Sequence, residues 1–142
     1  MEIRLASQSD AAPIIAFDHV AQQQRARVNF IYRAITSRSC YVAVVEQGVV
    51  AYGVLEYSFF EHGFISMLYV HPEHRRRGIG YALLEHIERV CKTPKLFTST
   101  DKSNKAMQAL LAKRNYAPSG TIKNLGDEGP EQIFFKQVRP SG

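Results

Sequence analysis

Short runs of β-branched and aromatic residues alternate with turn residues through the first half of the chain. Residues 41–46 and 49–57 are two such runs around Gln47 and Gly48, and this glycine supplies the positive φ that a tight hairpin needs. A third run, 64–70, follows a short turn that we expect to contain His62 and Gly63. The pattern predicts an antiparallel meander of three strands, with an opening strand over residues 3–6.

Apolar residues at helical spacing predict two helices before the meander. The first stretch contains Ile14 and Phe17, the second contains Val28 and Ile31, and the break between them falls within residues 22–24. Ser7 or Ser9 can cap the first helix, and an acidic residue three positions after Ser7 favours its N-terminal dipole.

A change of period after residue 78 predicts a third helix. Its apolar face is formed by Ile79, Leu83, Ile87 and Val90, and we expect Glu85 and Glu88 to point away from that face. Pro94 ends this helix and residues 95–99 form a short predicted strand. Ser103 is the expected cap of a fourth helix with Ala106, Leu110 and Leu111 on its apolar face, and Asn115 is its expected left-handed end. Residues 131–138 close the chain as a strand.

These elements predict an α+β, or mixed α/β, domain. The chain has 142 residues, 45% of them hydrophobic and 22% charged, which is typical of one packed domain over residues 1–142. It contains no repeat and no low-complexity linker. No apolar run approaches the roughly 18 residues of a membrane span, and no secretory signal is visible, so we expect a cytoplasmic protein that does not enter a membrane.

The two cysteines, Cys40 and Cys91, lie far apart without partners at metal-ligand spacing. This spacing argues against a zinc site and against a disulfide framework, so we expect reduced, buried thiols and no bound metal.

The chemistry-bearing stretch runs from Val70 to Tyr81. Eighteen Lys and Arg against 13 Asp and Glu give the chain a formal charge of +5, which favours an anionic ligand. This stretch places a basic cluster, Arg75–Arg77, and two glycines between a strand end and a helix start, where backbone N–H groups are free. It contains neither the P-loop pattern nor the third glycine of a dinucleotide site. The stretch therefore predicts a phosphate cradle of another kind.

The same stretch resembles the signature of the GNAT superfamily of acetyl-CoA-dependent N-acetyltransferases. Val70-x-Pro72 followed by Arg75-x-x-Gly78-x-Gly80 matches its motif of a strand end and then Arg/Gln-x-x-Gly-x-Gly/Ala. The opening residues 3–6, and Asn104 with Ala106, Leu110 and Tyr116 after it, are also similar to that family. The resemblance implies a central, mostly antiparallel sheet of about six or seven strands flanked by about four helices.

The resemblance also implies an enzyme that transfers acetyl from acetyl-CoA to a primary amine by direct attack in a ternary complex. The fourth strand would hold the pantetheine arm, the loop and helix start the pyrophosphate, and an Asn on the next helix the cofactor arm. The residues at these positions are Leu68, Tyr69, Val70, Arg75, Arg76, Arg77, Gly78, Ile79, Gly80, Tyr81 and Asn104.

The chain departs from the family at the positions that often carry acid and base. A Tyr seven residues after the Asn helps the thiolate leave in many members, and here that position is Leu111. Carboxylates used by some members would fall at Phe64 and near Ser99. Glu56 and His62, which lie before or within the turn entering the fourth strand, are therefore our candidate catalytic residues, with His62 titrating nearest neutral pH.

These departures leave two other functions open. One is a non-catalytic acyl-CoA-binding or sensing module. The other is a nucleic-acid-binding domain using the three-arginine cluster, although one such turn is a small electrostatic footprint and we expect no nucleic-acid partner. The expected partners are acetyl-CoA and an amine acceptor, a small molecule being favoured over a peptide, and the protein is expected to be a monomer or homodimer.

Overall fold

The computed structural model describes residues 1–127 and 129–141 of the chain. Its seven strands form a sheet in the order β1-β2-β3-β4-β5-β7-β6. The strands are β1 (Glu2–Leu5), β2 (Cys40–Val45), β3 (Gly48–Phe59), β4 (His62–Val70), β5 (Lys95–Asp101), β6 (Ala117–Ile122) and β7 (Glu131–Gln137). The helices are α1 (Ala11–Phe17), α2 (Arg25–Thr36), α3 (Ile79–Val90) and α4 (Lys105–Lys113). None of the helices in the described residues has the length and apolar character to cross a bilayer.

The sheet is mixed, as expected for the α+β class. β1 with β2, β2 with β3, β5 with β7 and β6 with β7 pair antiparallel, whereas β4 and β5 pair parallel. A parallel pair needs a crossover connection, and α3 is the helix between these two strands. The predicted fold class is confirmed, and the predicted strands and helices all form, with shifted ends.

The chain folds into two compact units, Met1–Leu55 with Met67–Ile87 and Glu56–Ser66 with Glu88–Gly142. In the first unit, α1 and α2 bury Ile14 and Ile31 against Val42 and Tyr52 of the sheet. Near the N-terminus of this unit, the first helical turn starts at Ser7. The backbone N–H of Ser7 donates to the Asp10 carboxylate and fixes this start. In the second unit, the side chains that are essentially inaccessible to solvent include Cys91, Leu96 and Leu111. That residues 1–142 form one domain stays a prediction.

The turn between β3 and β4 differs from the prediction. It is formed by Phe60 and Glu61, both with positive φ (50° and 66°), and His62 and Gly63 belong to β4. Gly63 is buried within the strand, where a Cβ would lie 2.6 Å from Cys91 Sγ and 3.2 Å from Thr93 Oγ1. This glycine is thus required by close packing and not by a turn.

The expectation that Glu88 points to solvent is wrong. Glu88 is 6% exposed and its carboxylate accepts hydrogen bonds from Lys136 Nζ (2.9 Å), Tyr116 Oη (3.1 Å) and the Arg114 guanidinium. Burial alone would raise the pKa of Glu88, but the hydrogen bonds and charges of Arg114 and Lys136 hold it below its usual value. Helical periodicity predicts that Glu88 lies on the polar face, because a local pattern carries no information about distant residues. The cations that pair with Glu88 come from β7 and from the residues that follow α4.

The cap of α4 also differs from the prediction. Asn104, not Ser103, is the N-cap, and its side-chain oxygen accepts from the backbone N–H of Met107 at 3.0 Å. Ser103 instead donates its backbone N–H to Asp101 Oδ1 at 2.8 Å. The C-terminal end of α4 agrees with the prediction, since Asn115 is in the left-handed region with φ 68°.

The expected buried, unpaired thiols are confirmed for Cys40 and Cys91.

We expect Gly63→Ala to lower the free energy of unfolding by about 1–3 kcal/mol, because its new methyl group must displace Cys91 or its neighbours. Gly126→Ala is the matched control, since a Cβ there meets nothing within 4 Å, and its effect should stay within about 0.5 kcal/mol. Urea denaturation of both variants measures the difference. Equal stability of the two variants would contradict the close packing at Gly63.

Glu88→Gln should lower stability at neutral pH by about 3 kcal/mol, since it leaves two cations without their carboxylate. A carboxyl whose pKa is lowered by folding stabilises the protein above its ordinary pKa, and this contribution is lost as pH falls through the folded value. The difference between wild type and Glu88→Gln should therefore shrink in denaturation curves taken from pH 7 to about pH 3. The exposed Glu46→Gln is the control, and a pH-independent difference for Glu88→Gln would contradict this account.

Candidate functional site

The ladder between β4 and β5 is short. Its pairs join Gly63–Ile65 to Leu96–Thr98, although both strands are fully described and β4 continues to Val70 while β5 continues to Asp101. Beyond Ile65, β4 therefore has a backbone edge without a ladder partner on β5. Backbone N–H and C=O groups normally have hydrogen-bond partners, so a ligand can hydrogen-bond to this edge in place of a neighbouring strand.

The side chains of this part of β4 are already used on both faces of the strand. Met67 and Tyr69 pack against the core formed with α1 and α2. Leu68 points to the other face, close to Gly53 and Ile87. What the segment Met67–Val70 can offer a ligand along the sheet plane is therefore its backbone.

The residues after β4 are tied back to the strand. The Arg75 Nε donates to the Val70 carbonyl oxygen at 3.0 Å, and the Arg75 guanidinium lies 5.4 Å from the centroid of the Tyr69 ring. His71 Nδ1 accepts from the backbone N–H of Glu73 at 3.0 Å. These contacts fix the path of the chain from the strand end into the basic loop.

The residue at the N-cap position of α3 is a glycine, so it has no side chain that could cap the helix. The Gly78 carbonyl accepts the N–H of Ala82 at 3.0 Å, which puts Gly78 at the cap position, with φ 80°. A glycine cannot cap with a side chain, so the backbone N–H groups of the first turn of α3 have no side-chain acceptor from Gly78. Ile79 is buried and can contribute only its backbone.

The space and charge in front of this helix start suit an anion. A Cβ on Gly78 would meet nothing within 4 Å, so the approach to the backbone is open. Arg76 and Arg77 are exposed beside it, and Arg76 has φ 65°. Backbone N–H groups, the positive end of the helix dipole and two guanidinium groups together make this a candidate phosphate site.

Two buried side-chain polar atoms in the described residues lack a hydrogen-bond partner. Ser66 Oγ is one, and Ser66 directly follows Ile65, the last residue of β4 that pairs with β5. His74 Nδ1 is the other, and His74 directly precedes Arg75. Buried polar atoms are normally satisfied, so each of these two atoms is an exception within its own unit.

A polar cluster around Asp18 was not predicted from the sequence. The carboxylate of Asp18, which is wholly buried, accepts from Tyr52 Oη at 2.6 Å and Arg27 Nη1 at 2.7 Å. The next residue, His19, is exposed, and its Nδ1 lies 3.1 Å from the hydroxyl of Tyr69. The only signal in the sequence is an acidic residue between the apolar pairs at 16–17 and 20–21.

The other predicted residues lie in the second unit. Asn104 caps α4 through its side-chain oxygen. Glu56 lies half-buried on β3, and His62 is the first residue of β4, with its ring 5.3 Å from that of Phe97. Neither side chain makes a hydrogen bond or ion pair within the described residues.

Two positions where the family places acid and base groups carry other chemistry. Leu111 is wholly buried on α4. Ser99 lies on β5 beyond the residues paired with β4, and its hydroxyl donates to Glu131 Oε2 of β7 at 2.7 Å. A carboxylate is thus present at this point of the sheet, supplied by the neighbouring strand.

The sequence profile of the acetyltransferase (GNAT) family matches residues 8–116. The chain belongs to this family. The resemblance suggested by Val70-x-Pro72 and Arg75-x-x-Gly78-x-Gly80 is thereby confirmed. No match was found among the curated proteins.

Solved structures support the assignment of the fold. A GNAT-family acetyltransferase from Bacillus cereus is 29% identical, with a TM-score of 0.89 over 96% of both chains. The acetyltransferase yncA from Salmonella typhimurium, solved with its cofactor acetyl-CoA, is 20% identical, with a TM-score of 0.79 over 100% of this chain and 96% of the other. The ribosomal-protein-S18-alanine N-acetyltransferase from Escherichia coli is 18% identical, with a TM-score of 0.80 over 99% and 96%.

Membership of this family bears on the predicted cofactor. GNAT acetyltransferases use acetyl-CoA as acetyl donor, so acetyl-CoA is confirmed as the cofactor of the family. Among the described residues, no group of three or more His, Cys, Asp or Glu side chains is arranged to hold a metal ion.

Proposed function

We propose that the protein transfers the acetyl group of acetyl-CoA to a primary amine by direct attack in a ternary complex. The observation that carries the proposal is the backbone edge of β4 that continues past its ladder with β5 and leads into the uncapped start of α3. A strand edge suits an amide-containing arm, and a helix N-terminus suits a pyrophosphate. Pantetheine and pyrophosphate are joined in that order in coenzyme A.

Each part of the donor is assigned to groups of this chain. The backbone of Leu68, Tyr69 and Val70 would hydrogen-bond the pantetheine amides as a neighbouring strand does. The N–H groups from Gly78 to Tyr81 would receive the pyrophosphate, with Arg76 and Arg77 adding charge. Arg75 is engaged with Val70, so we assign it to holding the loop. Asn104 remains our proposal for a contact to the cofactor arm.

Bound acetyl-CoA supplies an activated thioester, whose carbonyl accepts a nucleophile more readily than an amide does. A backbone N–H within Leu68–Val70 would polarise that carbonyl by donating a hydrogen bond. The thiol needs little help to leave, because a thiol of pKa about 8.5 is a tolerable leaving group that water can protonate. This accounts for transfer in a chain with a buried Leu111 where many members have an acid.

Glu56 and His62 remain our sequence-based proposals for the group that removes a proton from the amine. Both lie in the second unit and leave their functional atoms free of hydrogen bonds within the described residues. The His62 ring contacts the Phe97 ring in a tilted arrangement, with the centroids 5.3 Å apart.

We favour a small amine as acceptor. The reason is that the chain has no recognisable addition for binding a peptide. A peptide N-terminus is the alternative, because two structural relatives are ribosomal-protein alanine N-acetyltransferases. A non-catalytic acyl-CoA-binding module is the second candidate function, and the burial of Leu111 favours it.

The function is tested by calorimetric titration with acetyl-CoA, followed by thiol release over a panel of spermidine, lysine and a hexapeptide beginning with alanine. We expect binding with a stoichiometry of about one per chain and amine-dependent thiol release. Binding without release from any amine would support the acyl-CoA-binding module. Absence of binding would contradict both functions.

Gly78→Val should weaken acetyl-CoA binding at least tenfold, because its side chain would occupy the open approach to the phosphate-binding backbone. Gly120→Val is the matched control. Gly120 also has positive φ, at 142°, and open space around its Cβ, so both variants carry backbone strain. Calorimetry on the two folded variants should show the affinity loss only for Gly78→Val. Equal affinities would contradict the assignment of the phosphate site.

A further inference from the structure

The pairing of His19 with Tyr69 joins the loop after α1 to the free part of β4. The Tyr69 hydroxyl lies 3.1 Å from His19 Nδ1, and it also accepts the backbone N–H of His19 at 3.4 Å. Tyr69 lies between Leu68 and Val70, whose backbone we assign to the acetyl donor. We propose that Tyr69 and His19 form the relay that removes the amine proton during acetyl transfer, an inference that rests on the proposed function.

The structure fixes His19 by a buried anchor at the preceding residue. Asp18 Oδ1 accepts the backbone N–H groups of Val20 and Ala21 at 3.0 and 3.2 Å. Its other oxygen accepts from Tyr52 and Arg27. Burying a carboxylate is costly unless it is paired, so this loop has a strongly preferred conformation. Asp18 is thus a positioning residue for His19.

The Tyr69 ring is held from three sides. It lies 6.1 Å from the Phe17 ring and 6.2 Å from the Tyr52 ring, both nearly parallel to it, and the Arg75 guanidinium lies 5.4 Å from its centroid. Packing on both neighbouring rings orients the hydroxyl toward His19.

The charged and titratable groups around the pair are few. From α2, Arg27 is neutralised by Asp18. From β3, Tyr52 donates to the same carboxylate, and burial followed by the contact with Asp18 raises the pKa of Tyr52 far above its usual value, so it stays protonated. After β4, Arg75 faces the Tyr69 ring and His71 stacks on Phe17 at 5.3 Å. His19 is the exposed imidazole in direct hydrogen-bond contact with Tyr69.

The relay balances as a simple proton transfer. The amine nitrogen forms a bond to the thioester carbonyl carbon, and the bond from that carbon to sulfur breaks with its electron pair going to sulfur. The proton lost by the nitrogen passes to Tyr69 Oη while the hydroxyl proton of Tyr69 passes to His19 Nδ1. This requires a neutral imidazole with its hydrogen on Nε2, which leaves Nδ1 free to accept. Solvent protonates the thiolate and later takes the proton from the exposed His19.

Proton transfer by a positioned side chain contributes about 10²–10⁴-fold to a rate. We therefore expect Tyr69→Phe and His19→Ala each to lower kcat/KM about 10²-fold, with acetyl-CoA affinity changed less than about twofold. The double variant should be no slower than about the slower single variant, because the two groups act as one unit. The probe is the amine from the panel that wild type acetylates fastest. Tyr32→Phe on α2 and His86→Gln on α3 are the controls and should keep wild-type rates.

Two readouts separate a relay from a structural role. In wild type, kcat/KM should rise with pH, and this limb should disappear in His19→Ala. Added imidazole should restore part of the activity of His19→Ala and none of that of Tyr69→Phe. A merely structural contact predicts parallel pH profiles and no rescue.

The competing assignment is tested with Glu56→Gln and His62→Gln. If either abolishes the pH limb while His19→Ala and Tyr69→Phe retain it, the relay is wrong and the proposed function stands. If wild type binds acetyl-CoA but acetylates no amine, the proposed function fails and the relay falls with it. A wild-type rate of turnover by His19→Ala would overturn the relay alone.

Discussion

A strand edge that loses its neighbour must find other partners for its backbone, and this constraint organises the protein. β4 and β5 pair over Gly63–Ile65 and Leu96–Thr98 and then continue without pairing to each other. A ligand can supply at this edge the hydrogen bonds that a neighbouring strand would make. The same strand leads directly into the basic loop and the start of α3, and we propose that this continuous stretch of backbone binds both the amide-containing arm and the pyrophosphate of the donor.

The two units achieve rigidity by similar means in different places. In the first, the wholly buried Asp18 is satisfied by Arg27, Tyr52 and two backbone N–H groups, and it fixes the loop that carries His19. In the second, Glu88 collects hydrogen bonds from Arg114, Tyr116 and Lys136. In both, a buried carboxylate joins elements that are distant in sequence. Such networks specify one arrangement because each leaves an unpaired charge when it is broken.

Local patterns were sufficient for much of the fold. The hairpin at Gly48, the period of α3 and the left-handed Asn115 each depend on neighbours in sequence, and each was predicted correctly. The motif from Val70 to Gly80 was equally informative, because a strand end, a basic loop and a glycine at a helix start are all local features. The predictions failed where a distant residue decides the outcome. Glu88 is buried because cations arrive from residues 114 and 136, and Gly63 is small because Cys91 lies beside it.

The candidate site was predictable to the same extent. Its donor side follows the contiguous motif, whereas the contact of His19 with Tyr69 spans 50 positions and leaves no pattern in the sequence. The central claim is that the unpaired edge of β4 holds acetyl-CoA. Amide hydrogen exchange with and without acetyl-CoA tests it most directly. Protection should appear at Met67–Val70 and at Gly78–Tyr81, with little change at the already paired Gly63–Ile65. Tight binding without protection of Met67–Val70 would contradict the claim.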